Sequence, residues 1–245
     1  MRLVALRGVP AVRPGDDLAA LLRAAADASG VALAGGVLVV CQKVVSKAEG
    51  RVVRLADVEP SAEARRVAAQ DGKDPRHVEL VMRETARVVR HAHRVWIAET
   101  RHGFVCANAG VDLSNAPGDD VAVLLPEDPD ASARRLRDAL VAAGAGPLGV
   151  VVSDTFGRPW REGLVDVALG CAGVDALADW RGRSDWVGRP LEVTAMAQVD
   201  QLAAAAGLLM GKDAGVPAVW IEGAPCGGDG GIRALLRDPK LDLFR

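Results

Sequence analysis

Aromatic residues are scarce: the 245-residue chain has no Tyr, three Phe and five Trp. Half of the residues are nonetheless hydrophobic, so Ala, Val and Leu must fill the core. Cysteine is equally sparse. Cys41, Cys106, Cys171 and Cys226 are dispersed and form no C-x-x-C pair, which excludes a disulfide framework. Three of them sit among apolar neighbours and read as small core residues. There are four His, and the pair in His91-Ala92-His93 lacks the further ligands that zinc requires. These two read as helix-end or surface histidines. No apolar run reaches the roughly 18 residues of a membrane span. The opening Met1 to Arg7 is too short for a signal sequence and has a charge at each end. A formal net charge of −2 supplies no basic field for nucleic acid. A soluble, cytoplasmic protein is expected, with neither membrane nor nucleic acid as partner.

The patterning predicts strands at Met1–Leu6, Gly36–Cys41, Arg51–Leu55, Val95–Ala98, Val121–Leu125, Leu148–Val152, Leu191–Ala197 and Val216–Ile221. Helices are predicted from Asp16, as cap, to Ala28, from Pro60 to Ala69 and from Asp130 to Ala143. A further helix is predicted from Asp200 to Met210. Val78, Leu80, Val81, Ala86, Val88 and Val89 suggest another with one apolar stripe. The elements do not alternate strictly, no repeat is present and no long linker divides the chain. The expected class is α+β, with mixed sheets and packed helices. Gly227-Gly228-Asp229-Gly230-Gly231 lacks a following Lys-Ser/Thr and reads as a mobile loop rather than a phosphate loop.

Three polar clusters follow apolar strands. Ser153-Asp154-Thr155-Phe156-Gly157-Arg158-Pro159-Trp160-Arg161 offers hard oxygen ligands beside guanidinium forks. Mg²⁺ or Mn²⁺ prefers the former, and phosphate or carboxylate the latter. A solvated loop whose Asp and Arg pair only with each other fits the same residues taken alone. Glu99-Thr100-Arg101-His102-Gly103-Phe104-Val105-Cys106-Ala107-Asn108-Ala109-Gly110-Val111-Asp112 leads to a second acidic ligand, followed by Leu113, Ser114 and Asn115. Capping of a turn by Asp112 or Ser114 fits the same residues. Gln42-Lys43-Val44-Val45-Ser46-Lys47-Ala48-Glu49-Gly50 places two lysines and a serine at a strand exit, a set that could hold a triphosphate and that also fits solvated lysines. Its spacing is not that of a P-loop.

Together these strings resemble the coenzyme F-420:L-glutamate ligase family, the gamma-glutamyl ligases. Gly8-Val9-Pro10, Pro14-Gly15-Asp16-Asp17-Leu18, Met210-Gly211-Lys212 and Gly215-Val216-Pro217 extend the resemblance over nearly the whole chain, in order. It implies a GTP-dependent ligase that joins L-glutamate to the phospholactyl carboxylate of a deazaflavin precursor. Further glutamate is then added by gamma linkage, and an acyl phosphate is the simplest activated form; another nucleotide-dependent carboxylate–amine ligase and a non-catalytic deazaflavin-binding protein are the alternatives. The implied metal ligands are Asp112, Asp154 and Thr155, with Mg²⁺ or Mn²⁺ as the metal and K⁺ as an additional candidate ion. The resemblance places Val9, Pro10, Ala11, Val12, Gln42, Lys47, Asn115, Met210, Gly211 and Lys212 around GTP. Asp112 and Asp154 are also the candidate catalytic residues. Arg158 and Arg161 join them as a separate reading, as clamps on substrate phosphate or carboxylate.

One departure stands out. Many relatives carry glutamine after the late Met-Gly pair, where this chain has Lys212, which cannot ligate a metal while protonated. The resemblance also implies a two-lobed subunit and an intertwined homodimer. A single ligase domain over 1–245, without the reductase domain that some relatives add, is expected.

Overall fold

The computed structural model describes residues 1–114, 118 and 120–242. The predicted GTP-site residue Asn115 lies outside them. In chain order the first elements are β1 (Arg2–Leu6), α1 (Leu18–Ala28), β2 (Gly36–Cys41), α2 (Gln42–Ala48) and β3 (Val52–Arg54). Next come α3 (Ala62–Asp71), α4 (Pro75–Glu84), β4 (Thr85–Ala92), β5 (Val95–Thr100), β6 (Val105–Ala107) and β7 (Val121–Val123). The remainder is α5 (Pro129–Ala142), β8 (Leu148–Arg158), β9 (Arg161–Ala172), β10 (Leu177–Asp179), β11 (Ala195–Ala197), α6 (Gln198–Gly207) and β12 (Ala218–Glu222). The class is α+β, as expected.

Helix starts follow capping chemistry. Asp17, Ser61, Asp74 and Asp128 each accept a backbone N–H in the first turn of α1, α3, α4 and α5. This satisfies donors that a helix leaves unpaired. Asp17 rather than Asp16 caps α1, because Asp16 Oδ2 is taken by the Arg13 N–H at 2.7 Å.

The principal sheet has the order β1-β12-β2-β8-β9. Only β2 and β8 pair in parallel; the other neighbours are antiparallel. Its two faces carry separate cores, one under α1 and α5, the other under α6. The continuous apolar runs of β2 and β8 are explained by burial on both faces. Gly170 of β9 lies where a side chain would collide with the Pro129 backbone, so α5 can press onto the sheet only over glycine. A third core, drawn from residues 55–124, packs α3 and α4 against β5 and its neighbours.

Four expectations need correction. The helix foreseen through Val89 ends at Glu84, and the chain turns into β4, which pairs with β5. Val78, Leu80 and Val81 are buried while Val88 and Val89 are exposed, so the apolar stripe breaks where β-branched residues take over. The Ser153–Arg161 stretch is not a loop: β8 runs on to Arg158 and β9 starts at Arg161, forming a long hairpin. Of the predicted strand Leu191–Ala197, only the last three residues pair, because β10 offers only three partners. The glycine-rich loop is held rather than free, with Gly227 N–H donating to Gly173 O at 2.7 Å and Cys171 Sγ–H to Gly230 O at 3.4 Å. Of the two readings offered for His91 and His93, the surface one holds: both are exposed, His91 in β4 with Nε2 2.8 Å from Asp71 Oδ2.

Candidate active site

β1, β2 and β8 run in the same direction, so their carboxyl ends share one edge of the sheet. β12 enters at that edge, where Cys41 N–H donates to Pro217 O at 2.8 Å. Loops leaving this edge enclose a cavity of ≈ 270 Å³. Open mixed sheets place ligands outside strand carboxyl ends. Val9, Pro10, Ala11 and Val12 line it from the exit of β1, and Lys43, Val44 and Lys47 from α2. Ser153, Asp154 and Thr155 line it from β8 and Asp166 from β9, while Met210, Gly211, Lys212 and Gly215–Pro217 close it.

The two lysines share a face because α2 begins directly at the end of β2, and residues four apart on a helix are neighbours. Lys43 is buried, and its Nζ lies 2.7 Å from Asp112 Oδ2. It also donates to Ser114 Oγ at 2.8 Å and to Ser114 O at 3.1 Å. Asp112 reaches this position from a strained turn. Asn108 and Ala109 have φ near 50°, and Gly110 has φ 73°, a region L-residues seldom occupy. The chain then pairs with β7, Asp112 N–H donating to Val123 O at 3.0 Å and Val123 N–H to Asp112 O at 2.8 Å.

Electrostatics separates the carboxyls. Burial pushes Asp154 up to about 6; the Thr155 N–H, Lys43 and Lys212 pull it down, and Asp112 pushes it up. The Thr155 N–H donates to Asp154 Oδ1 at 2.8 Å. Burial also raises Asp112, but hydrogen bonds from Lys43 and the Ser114 N–H outweigh it and leave this carboxyl below its ordinary value. Lys47 is lowered by burial and then by the charge of Lys43. The Cys41 thiol, beside the cavity, is pushed by burial to about 11 and is inert as a nucleophile.

Of the residues singled out in the sequence, Val9–Val12, Lys47, Asp154, Thr155 and Met210–Lys212 meet around the cavity. Asp112 joins them through Lys43. Gln42 does not line it; it is fully buried, with Oε1 accepting from Ser46 Oγ at 2.8 Å. Arg158 and Arg161 stand at the exposed tip of the β8–β9 hairpin. Asp166 has no place in the sequence reading, and Lys43 enters it only as one of the two lysines at a strand exit. The four-residue spacing of Lys43 and Lys47 is a signal only on a helix, and the motif itself does not show that a helix starts at Gln42. Asp166 is brought in by cross-strand pairing with Thr155.

Among the described residues no group of three or more His, Cys, Asp and Glu is arranged to hold a metal. The local donors, Asp112, Asp154, Thr155 and Asp166, are all oxygens, the set a hard divalent ion takes. Burial of Asp154 leaves a carboxylate whose charge a cation would stabilise. The residues therefore fit Mg²⁺ or Mn²⁺.

Comparison with known proteins bears on this cavity. The family described as F420-0:Gamma-glutamyl ligase matches residues 8–223. The chain belongs to this family. Over nearly its whole length it is similar to archaeal proteins. It is 47% identical to the coenzyme F420:L-glutamate ligase of Methanothermobacter thermautotrophicus, over 99% of this chain and 98% of that protein. The protein of the same name from Methanopyrus kandleri is 48% identical over 96% of this chain and 93% of its own. That of Archaeoglobus fulgidus is 40% identical over 98% and 94%. The family-matched span contains all the cavity-lining residues.

Proposed function

We propose that this protein is a GTP-dependent coenzyme F-420:L-glutamate ligase. It adds L-glutamate to the phospholactyl carboxylate of the deazaflavin precursor and then further glutamate by gamma linkage. The observation that carries this reading is the cavity at the strand ends, which gathers Lys43, Lys47, Lys212 and Asp154 within the family-matched span.

A carboxylate does not condense with an amine in water until an oxygen is made a leaving group. In this reading the substrate carboxylate displaces GDP from the γ-phosphorus and becomes an acyl phosphate. The glutamate amine then attacks the acyl carbon, and inorganic phosphate departs. Such phosphoryl transfer needs mainly positioning and neutralisation of charge. Lys47 and Lys212 supply positive charge at the cavity wall, and the Val9–Val12 loop forms an apolar side for the nucleotide. Asp112, Asp154 and Thr155 would hold the divalent ion. When bound, that ion would neutralise phosphate oxygens. Arg158 and Arg161 at the hairpin tip are placed to meet the acidic tail of the precursor only if that tail, or a second subunit, extends to them.

The separate third core favours a two-lobed subunit within one ligase domain. An intertwined homodimer is supported by the protruding β8–β9 hairpin, where Trp160 and Leu164 are exposed. A monomer mass in light scattering at micromolar concentration would count against it. No described helix is long and apolar enough to cross a membrane, and the reading places the protein in the cytoplasm.

The decisive experiment is mass spectrometry of the precursor after incubation with GTP, Mg²⁺ or Mn²⁺, and L-glutamate. Mass increments of glutamyl residues, with stoichiometric GDP, are expected. GDP release with other acids but not with the precursor would replace this acceptor with another.

A further inference from the structure

The ammonium of Lys43 sits in a shell of oxygens from Asp112 and Ser114, at 2.7–3.1 Å. Its side chain is only 10% exposed. Such a shell suits a small cation, and here the protein fills it with a cation of its own. The same charge acts on the second carboxyl: Lys43 pulls Asp154 down while Asp112 pushes it up. Lys43 thus offsets the repulsion of two acidic groups that meet at the cavity edge. Asp112 is also the residue best placed by the family reading to bind a divalent ion, yet its Oδ2 faces the Lys43 ammonium and its Oδ1 accepts the Ser114 N–H at 2.7 Å, so an arriving cation meets like charge and a carboxylate engaged at both oxygens.

We infer that Lys43 is an internal counter-cation that competes with the divalent ion for Asp112, so that metal loading requires its ammonium to leave Asp112 and Ser114. The inference rests on the proposed metal–nucleotide reading of the cavity. A displaced buried ammonium needs a new anionic partner. Lys43 lines the cavity shared with Lys47 and Lys212, so a polyphosphate there supplies that partner. Metal and nucleotide then bind with positive coupling: each removes part of the cost the other meets. Lys43 acts as a positioning residue in this scheme, without taking part in bond changes.

Mn²⁺ binding to the full-length protein, followed by electron paramagnetic resonance of free Mn²⁺ without turnover, tests this. Lys43→Gln removes the charge but keeps a hydrogen bond for Ser114, and Lys43→Arg keeps the charge. Without nucleotide, Lys43→Gln should bind Mn²⁺ at least tenfold more tightly than wild type, and Lys43→Arg within about threefold of it. GDP should tighten Mn²⁺ binding to wild type and do so less in Lys43→Gln. Lys43→Met, with folding checked by circular dichroism, repeats the test if the glutamine variant misfolds. Equal or weaker Mn²⁺ binding by folded neutral variants overturns the inference. If Asp112→Asn and Asp154→Asn leave wild-type Mn²⁺ affinity unchanged, the metal reading itself fails and takes the inference with it. If they weaken it while Lys43→Gln has no effect, only the role of Lys43 is refuted.

Discussion

Replacing Asp154 with asparagine should stabilise the metal-free protein at neutral pH while abolishing ligation. Burial raises this carboxyl from 3.8 to about 6, so the folded state holds its proton more tightly than the unfolded chain. The group therefore favours folding fully below about pH 4, and that contribution is lost as pH rises through about 6. At pH 7.5, above both values, the group contributes about 3 kcal/mol less to folding than it does below pH 4. Asparagine cannot ionise, and its amide oxygen can still accept the Thr155 N–H that Asp154 Oδ1 takes at 2.8 Å. The surrounding charges are Lys43, Lys212 and Asp112, and their net effect is already contained in the shift. Urea unfolding of both proteins in EDTA between pH 4 and pH 8 measures the difference. The advantage of Asp154→Asn should grow from near zero to about 3 kcal/mol, or roughly 6–12 °C in Tm for a chain of this size. Mn²⁺ with GDP should raise the stability of wild type and leave the variant nearly unchanged. A difference that does not vary with pH, or a variant less stable at pH 7.5, would refute the account of Asp154 as a charge held against its burial cost.

Lys47→Ala should raise the KM for GTP about tenfold or more and change that for glutamate little, as steady-state kinetics with each substrate varied will show; no effect would mean a solvated lysine. Lys212→Gln should make activity more sensitive to metal identity and concentration, by offering an oxygen where the charge now acts on Asp154, while Lys212→Ala should weaken GTP binding. Superimposable metal titrations and unchanged GTP affinity for wild type and both variants would remove the late loop from the mechanism. Glu84 is 7% exposed and accepts from Arg51 at 3.1 Å and Arg101 at 2.9 Å. Glu84→Ala should cost about 3–5 kcal/mol in urea unfolding, the usual effect of stripping a buried ion pair of one partner; a loss below about 1 kcal/mol would show that the two arginines find water instead.

Burial and local capping made much of the architecture legible in the sequence. The runs Gly36–Cys41 and Leu148–Val152 are apolar at nearly every position because both faces of the principal sheet are covered, and that pattern marks them as strands. Pro129 after a capping Asp128 marks α5 in the same way. What stayed hidden depends on partners distant in the chain. Residues 153–158 look polar because the hairpin projects past the core, yet they remain strand through pairing with 161–168. β4 looked helical because its valines continue the stripe of α4, and only the facing strand β5 decides otherwise.

The site divides along the same line. Asp154 and Thr155 could be noticed because they follow a strand directly, and Lys47 because it lies in a motif. Asp166 carries no local signal, since it enters the cavity only through its cross-strand neighbour Thr155. Lys43 and Asp112 are separated by a complete chain excursion through the third core, and nothing in either segment announces their 2.7 Å contact. That excursion must turn back through the strained Asn108-Ala109-Gly110 corner to deliver Asp112. Backbone strain of this kind persists only where surrounding contacts enforce it. Here they are the pairing with Val123 and the burial of Ala109 and Val111. The third core thus does more than add stability: it holds a carboxylate against a lysine presented by the other part of the fold.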